Sequence, residues 1–350
     1  MALPLNPPLA PMLAKLQEEI PAGDGWLYEP KWDGFRAIVF RDDESITIVS
    51  RDGRDLVRYF PELPPVLLEK LPRRCVVDGE IILAGPDGLD FDALQQRIHP
   101  AQSRVEMLAA KTPTSFIAFD LLALAGRNLM ESAFQIRRAK LEEGLGKKAM
   151  FTKNGNKEIT GLRGKTKILL TPQTADLDEA RSWFAEFESV GLDGLIAKRA
   201  EGPYVPGKRV MVKIKHQRTA DCVVGGYRLS KTGDGIGSLL LGVYDETGIL
   251  QYIGHTSSFK AAERRELLKQ LRRLEGGRSF GAGRAPGGPS RWTGTRDSSW
   301  VPIKPELVCE VSFDYLQGDR FRHAATFIRW RTDKKPSECR FDQLTRPPHR

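Results

Sequence analysis

Residues 28–42 read YEPKWDGFRAIVFRD. Phe35 to Arg41 is apolar and β-prone, and a second such run, Ser45 to Arg51, carries Ile46 and Ile48 at the two-residue period of a strand. Asp42, Asp43 and Glu44 between them read as a hairpin turn. Val76 to Leu83 and Phe116 to Leu122 are further apolar strands, whereas Asp90 to His99 and Asp178 to Phe187 have helical character. Strands and helices do not alternate regularly, so the expected class is α+β, with antiparallel sheets flanked by helices.

After His216 the pattern turns β-rich. Asp221 to Leu229, Ser238 to Tyr244, Leu250 to Gly254, Leu307 to Tyr315 and His323 to Trp330 read as strands, with a turn at 245–248 and one amphipathic helix from Phe259 to Leu274. Five strands and a helix suit a small Greek-key barrel of the OB type. The division is placed near Arg218, giving domains 1–218 and 219–350.

The chain has 350 residues, 40% hydrophobic, with 54 basic and 45 acidic side chains and a net charge of +9. That is enough for two cores of ordinary size and too apolar for a disordered chain. No run of about 18 apolar residues suggests a membrane span, and prolines interrupt the opening MALPLNPPLAPMLAKL where an export signal needs an apolar helix; a cytoplasmic location is expected. Cys75, Cys222, Cys309 and Cys339 are too scattered for a zinc site or disulfide framework and are read as reduced thiols. Residues 222–350 hold 22 Lys/Arg against 14 Asp/Glu, and residues 1–221 hold 32 against 31. The basic excess is thus C-terminal, which suits a polyanionic partner.

Lys31 follows Pro30, and Gly34 permits a tight turn before the Phe35 strand. A lysine held this way becomes a nucleophile where neighbouring cations favour its free amine, although at a strand entrance it is more commonly a solvated group. Asp78 and Glu80 lie two apart in an apolar strand, so both face one way and call for a cationic or hydroxylated partner. Lys213 and Lys215 repeat this with opposite sign, as a phosphate clamp would; for each pair the alternative is an exposed amphipathic strand. Gly164-Lys165-Thr166 lacks the first glycine of a phosphate-binding loop, since Ile159 stands there. Gly277 to Gly281 matches GxSxG but follows a helix, the wrong context for a nucleophile elbow.

In order along the chain, KWDGFR (31–36), SRDGR (50–54), VVDGEII (76–82), FIAFDLL (116–122), LDGLIAKR (192–199), MVKIKH (211–216) and RWRTDKKP (329–336) resemble the seven motifs of the covalent nucleotidyltransferases, specifically ATP-dependent DNA ligases. The opening, QQRIHP (95–100) and KIKHQRTADCVV (213–224) are most similar to the compact bacterial C-type ligases. The resemblance covers most of the chain. It implies a nucleotidyltransferase (adenylation) domain followed by an OB-type barrel, and an enzyme that seals 3′-hydroxyl/5′-phosphate nicks in duplex DNA through a lysyl-AMP and a DNA-adenylate.

The resemblance implies that Lys31 is the nucleophile, with Lys213 and Lys215 on the α-phosphate. For the nucleotide it implies Phe119 on the base, Glu80 and Arg36 on the ribose, Glu29 at the adenine amino group, and Arg331 and Lys334, with Asp333, on the β- and γ-phosphates. The cofactors would be ATP and Mg²⁺ or Mn²⁺, with Asp193 and Glu80 as metal-site candidates. Asp193 departs from the family's usual glutamate, and Glu188 is a possible substitute for it. Arg51 and Arg54 would meet DNA phosphate, and seven basic residues between Lys147 and Lys167 form either a strand-gripping loop or a disordered one.

The barrel would close over ATP for the first step and turn away for the nick. The partners implied are nicked duplex DNA and, for repair, a polymerase or end-binding protein; the chain would be a monomer of the bacterial cytosol or nucleoid. Alternatives that share these features are an RNA ligase, a GTP-using capping enzyme and a non-catalytic binding protein on a ligase scaffold.

Overall fold

The computed structural model describes residues 3–146, 159–187, 191–216, 218–277, 279–281, 286, 299–314 and 316–345. The chain forms two units, Met1–His216 and Gln217–Arg350.

In chain order the first unit carries β1 (Leu13–Leu16), β2 (Trp26–Pro30), β3 (Phe35–Asp42), β4 (Ser45–Ser50), α1 (Leu63–Lys70), β5 (Arg74–Ile82), α2 (Phe91–Gln95) and α3 (Gln102–Lys111). β6 (Ser115–Leu124), β7 (Arg127–Asn128), α4 (Phe134–Leu145), β8 (Ile168–Leu170), α5 (Leu177–Glu186), β9 (Gly194–Arg199) and β10 (Arg209–Lys215) follow. One sheet has the order β4-β3-β5-β6-β7 with β8 beside β6, and the other has the order β1-β10-β9-β2. Among the described residues of this unit, only β1 with β10 and β6 with β8 pair in parallel.

β3 is apolar on both faces because both are covered. Ala37 and Val39 pack with Leu63 and Leu67 of α1, while Ile38 and Phe40 pack with Met12, Tyr204 and Met211. The second face also carries Arg36, opposite Glu80 of β5, and Asp78 lies opposite Ile38. The sheet thereby delivers three charged side chains of the sequence motifs to one region.

The helix expected over Asp90 to His99 is shorter. Asp90 caps it by accepting from the Ala93 amide at 2.8 Å, and it ends at Gln95. Pro100 disfavours helical geometry at His99. Arg97 turns inward instead, fully buried in a fork on Glu62 with both bonds at 2.8 Å.

The second unit carries β11 (Arg218–Leu229), β12 (Ile236–Tyr244), β13 (Leu250–Thr256), α6 (Ala261–Arg272), β14 (Val301–Pro302), β15 (Val308–Phe313), β16 (Leu316–Gln317), β17 (Arg320–Phe321) and β18 (Thr326–Trp330). The strand order is β13-β12-β11-β15-β18, and a bridge between Thr256 and Ala325 joins the two ends, closing an OB-type barrel. Its core includes Val223, Leu239, Leu241, Ile253 and Val311, against which α6 packs Leu267 and Leu271. Asp245 builds the β12–β13 turn, accepting from the amides of Thr247 at 2.9 Å and Ile249 at 3.0 Å. The last two strands, Val308–Phe313 and Thr326–Trp330, are shorter than the sequence pattern suggests, the residues between them forming the β16–β17 hairpin.

All four cysteines are free and buried, and burial pushes the thiols of Cys75 and Cys339 up to about 12. Among the described residues no helix is long and apolar enough to cross a membrane. Gly164-Lys165-Thr166 leads into the strand β8. Residues 147–158, which hold four of the seven basic residues of the 147–167 segment, together with Glu188 and Arg278, lie outside the described residues.

Candidate active site

Lys31 sits in the short connection between β2 and β3, clasped by the backbone on both sides. Its amide donates to the Gly194 carbonyl at 2.9 Å, and its carbonyl accepts from the Asp193 amide at 3.0 Å. Trp32 beside it is buried and donates from Nε1 to Thr171 Oγ1 at 2.8 Å. Two glycines on either side of this clasp let the backbone pass close to neighbouring strands. A Cβ at Gly34 would lie 2.1 Å from the Ile81 carbonyl oxygen. Gly194 has φ of +130°, and a Cβ there would lie 1.9 Å from the Ile214 carbonyl oxygen.

The Lys31 side chain ends on Asp193, Nζ to Oδ2 at 2.6 Å, and Lys215 Nζ lies 3.0 Å from the same oxygen. Burial pushes the Asp193 carboxyl up, but the two ammonium groups outweigh it and hold it below the ordinary carboxylate range.

Lys31 opens on a cavity of about 290 Å³. Its walls include Glu29, Arg36, Glu80, Phe119 and Lys213, brought together from β2, β3, β5, β6 and β10. Pro11 to Ala14, held along β10, form a further wall. The two motif lysines of β10 diverge in their surroundings: Lys213 lines the cavity and Lys215 is tied to Asp193. Burial, followed by the like charges of Lys215, Lys31 and Arg209, lowers the pKa of Lys213.

Asp78 meets both kinds of partner its burial demands. Arg36 grips it with a fork, Nε and Nη2 each at 2.6 Å, and the Tyr204 hydroxyl donates to Oδ2 at 2.6 Å. Burial alone would lower the pKa of Arg36, but the charge and hydrogen bonding of Asp78, with the charges of Tyr204 and Glu80, together outweigh it and raise the pKa. The guanidinium lies over Phe119, Cζ 4.3 Å from the ring centroid, and Lys198 Nζ is 4.9 Å from the same centroid. Glu80 is pushed up to about 7 by burial, against the pull of Arg36 and Lys31.

Glu29 is deeply buried and surrounded by donors. Lys198 Nζ is 2.7 Å and Arg138 Nη1 3.5 Å from its carboxylate, and Gln173 Nε2 donates to it at 3.0 Å. Arg51 reaches the cavity, whereas Arg54 is exposed and is fixed here through its backbone, its amide donating to Ser50 Oγ at 3.0 Å.

Arg331, Asp333 and Lys334 belong to the barrel unit. Arg331 Nη1 donates to Asp221 Oδ1 at 2.8 Å and Lys334 Nζ to Asp221 Oδ2 at 2.7 Å. Arg331 Nη2 also donates to Asp333 at 2.8 Å, and that bonding brings the Asp333 carboxyl down to about 2.

Tyr204, Lys198, Arg138 and Asp221 are functional neighbours that motif spacing did not single out. Lys198 stands within the LDGLIAKR motif and Asp221 within the KIKHQRTADCVV segment, where a charge in a β-prone run was a usable signal. Tyr204 lies in a loop and Arg138 on α4, and neither carries a local pattern that distinguishes it from an ordinary core or surface residue.

A family model described as ATP dependent DNA ligase domain matches residues 7–215, and another, ATP dependent DNA ligase C terminal region, matches residues 232–334. The chain is 48% identical over 357 residues to "DNA ligase C1" of Mycolicibacterium smegmatis, covering 99% of this chain and 97% of that one. It is 49% identical over 359 residues to "DNA ligase C" of Mycobacterium tuberculosis, covering 99% and 96%. Among solved structures, one titled as a structure-function analysis of Lig E DNA ligases has the same fold, with a TM-score of 0.54 and 17% identity over 91% of this chain and 99% of that one.

Proposed function

The chain belongs to the ATP-dependent DNA ligases, and from that premise we propose how its own residues carry the reaction. It uses ATP to seal nicks in DNA. The observation that carries the residue assignment is the convergence of Lys31, Arg36, Glu80, Phe119 and Lys213 on one cavity.

In the first step Lys31 Nζ bonds to the α-phosphorus of ATP as the bond to pyrophosphate breaks, the pyrophosphate leaves with the bonding electrons, and Nζ gives up its proton. Such transfers depend on positioning and charge neutralisation. Lys213, in the cavity wall, meets the α-phosphate; Lys215 acts beside it through Asp193. Phe119 stacks on the base, and Arg36, held by Asp78, and Glu80 take the ribose. Glu29 acts at the adenine edge together with Lys198 and Gln173, which already engage its oxygens. Arg331 and Lys334 attend the β- and γ-phosphates, and Arg51 and Arg54 the DNA phosphates.

A divalent cation, Mg²⁺ or Mn²⁺, fits the donor set. Asp193 offers a carboxylate that is ionised beside the nucleophile, with Glu80 near Lys31 as the second candidate. No group of three or more His, Cys, Asp or Glu suited to a metal occurs among the described residues, and Mg²⁺ generally takes one or two carboxylates together with waters and substrate phosphates. When bound, it supplies charge neutralisation at the phosphates. Asp193 would share its carboxylate between that ion and Lys31, and a lysine held less firmly by it would lose its proton more readily.

The DNA end then receives AMP on its 5′-phosphate, and attack by the 3′-hydroxyl releases AMP. We place this activity in DNA repair in the bacterial cytosol or nucleoid, by a monomer working with a repair polymerase or end-binding protein. The test is sealing of a 5′-labelled nicked duplex by wild type and Lys31→Ala, with ATP or GTP and Mg²⁺. Sealing by wild type with ATP alone supports the reading. Sealing by Lys31→Ala, or with GTP equally well, refutes it.

A further inference from the structure

We propose that Asp221 is a positioning residue for lysyl-AMP formation: it holds Arg331 and Lys334 side by side, ready for the β- and γ-phosphates of ATP. The inference rests on the reading of Arg331 and Lys334 given above and adds a residue to it.

Asp221 is fixed by its own backbone before it touches either cation. Its amide donates to Gln343 Oε1 at 2.9 Å, and its carbonyl accepts from Gln343 Nε2 at 3.0 Å. On β11 it stands opposite Glu310 of β15. Its side chain is 13% exposed, less than Arg331 at 19% or Lys334 at 24%. Each carboxylate oxygen takes one of the cations, at 2.8 and 2.7 Å.

Two long cationic side chains repel when adjacent, and each loses rotamer freedom when held. A recessed carboxylate that bonds to both removes the repulsion and fixes their spacing. Asp333 secures the opposite edge of the guanidinium through Nε at 2.9 Å and Nη2 at 2.8 Å, so Arg331 is bound from two sides. What remains is a pair of cations oriented together, flanked by the carboxylates of Asp221 and Asp333 and by Glu310 at 3.9 Å from Arg331 Nη1. The arrangement matches the pyrophosphate half of ATP. A DNA-adenylate has no β- or γ-phosphate, so sealing that starts from it has no use for this pairing.

The experiment uses the full chain with Asp221→Asn, Asp221→Glu and wild type. Two rates are measured: lysyl-AMP formation against ATP concentration, and sealing of a nick that already carries the DNA-adenylate, without ATP. The expected result for Asp221→Asn is a loss of about 10-fold or more in kcat/KM for lysyl-AMP formation, with sealing of the adenylated nick within about twofold of wild type. Asp221→Glu keeps the charge and is expected to lose less, again in the first step only. Should asparagine unfold the barrel, Asp221→Glu alone decides the matter by the same split. Unchanged lysyl-AMP formation in both variants, or equal losses in both rates, overturns the inference. Failure of wild type to form lysyl-AMP would instead strike the assignment of Lys31.

Discussion

Lys31 Nζ and Asp193 Oδ2 are 2.6 Å apart, joined across 162 residues of sequence by a backbone clasp and a side-chain ion pair. Asp193 thus places the nucleophile and, through Lys215, ties it to the cationic strand β10. Asp193→Asn keeps the shape but removes the charge, and lysyl-AMP formation is expected to fall by about 10²-fold, the scale of a misplaced reacting group. Asp193→Glu is expected to retain most of the rate. Single-turnover labelling with ATP measures both.

Arg36 of the cavity wall is paired with Asp78 behind it, whose side chain is fully buried while that of Arg36 is 22% exposed. Arg36→Ala leaves Asp78 with only the Tyr204 hydroxyl among its side-chain partners here. An uncompensated buried charge costs about 3–5 kcal/mol, and urea unfolding of this variant is expected to show a loss of that order. A change below about 1 kcal/mol would contradict a structural role for the pair.

Glu80 gives a pH signature. Its carboxyl is raised from 4.5 to about 7 in the folded chain by burial. The folded state therefore keeps a proton that the unfolded state loses first, and this contribution to stability is full below about pH 4.5 and disappears as pH rises through about 7. Glu80→Gln lacks that dependence. Melting in chelator is expected to show the variant gaining on wild type between about pH 5 and pH 8; parallel curves would contradict it.

The motif residues were legible because they sit in short segments whose local geometry fixes them. Gly34 and Gly194 mark close backbone approaches, and Asp78 in an apolar strand required partners that the structure supplies in Arg36 and Tyr204. Tyr204 was not legible because its partners, Asp78 and the Met12 amide at 2.9 Å, lie 126 and 192 residues away. The same holds for the ring of donors around Glu29, since Arg138 and Gln173 come from a helix and a loop with no motif of their own. The α2 helix is shorter than its sequence pattern because Pro100 and the pairing of Arg97 with Glu62 cut short the helical run that Arg97 and Ile98 continue.

Tyr204 offers a test of the cavity wall. Its hydroxyl accepts from the Met12 amide and donates to Asp78, linking the Pro11–Ala14 wall to the carboxylate that orients Arg36. Tyr204→Phe keeps the ring and removes that link. The expected outcome in lysyl-AMP formation is a KM for ATP raised by about 10-fold, with kcat changed by less than about threefold.

Lys31 is expected to carry the AMP. Wild type is incubated with ATP and Mg²⁺, digested, and its peptides mapped by mass spectrometry before and after addition of nicked DNA. The expected result is a single adenylylated lysine, Lys31, whose modification disappears as the nick is sealed. AMP on another lysine, or a Lys31 adduct that nicked DNA does not discharge, would contradict the account.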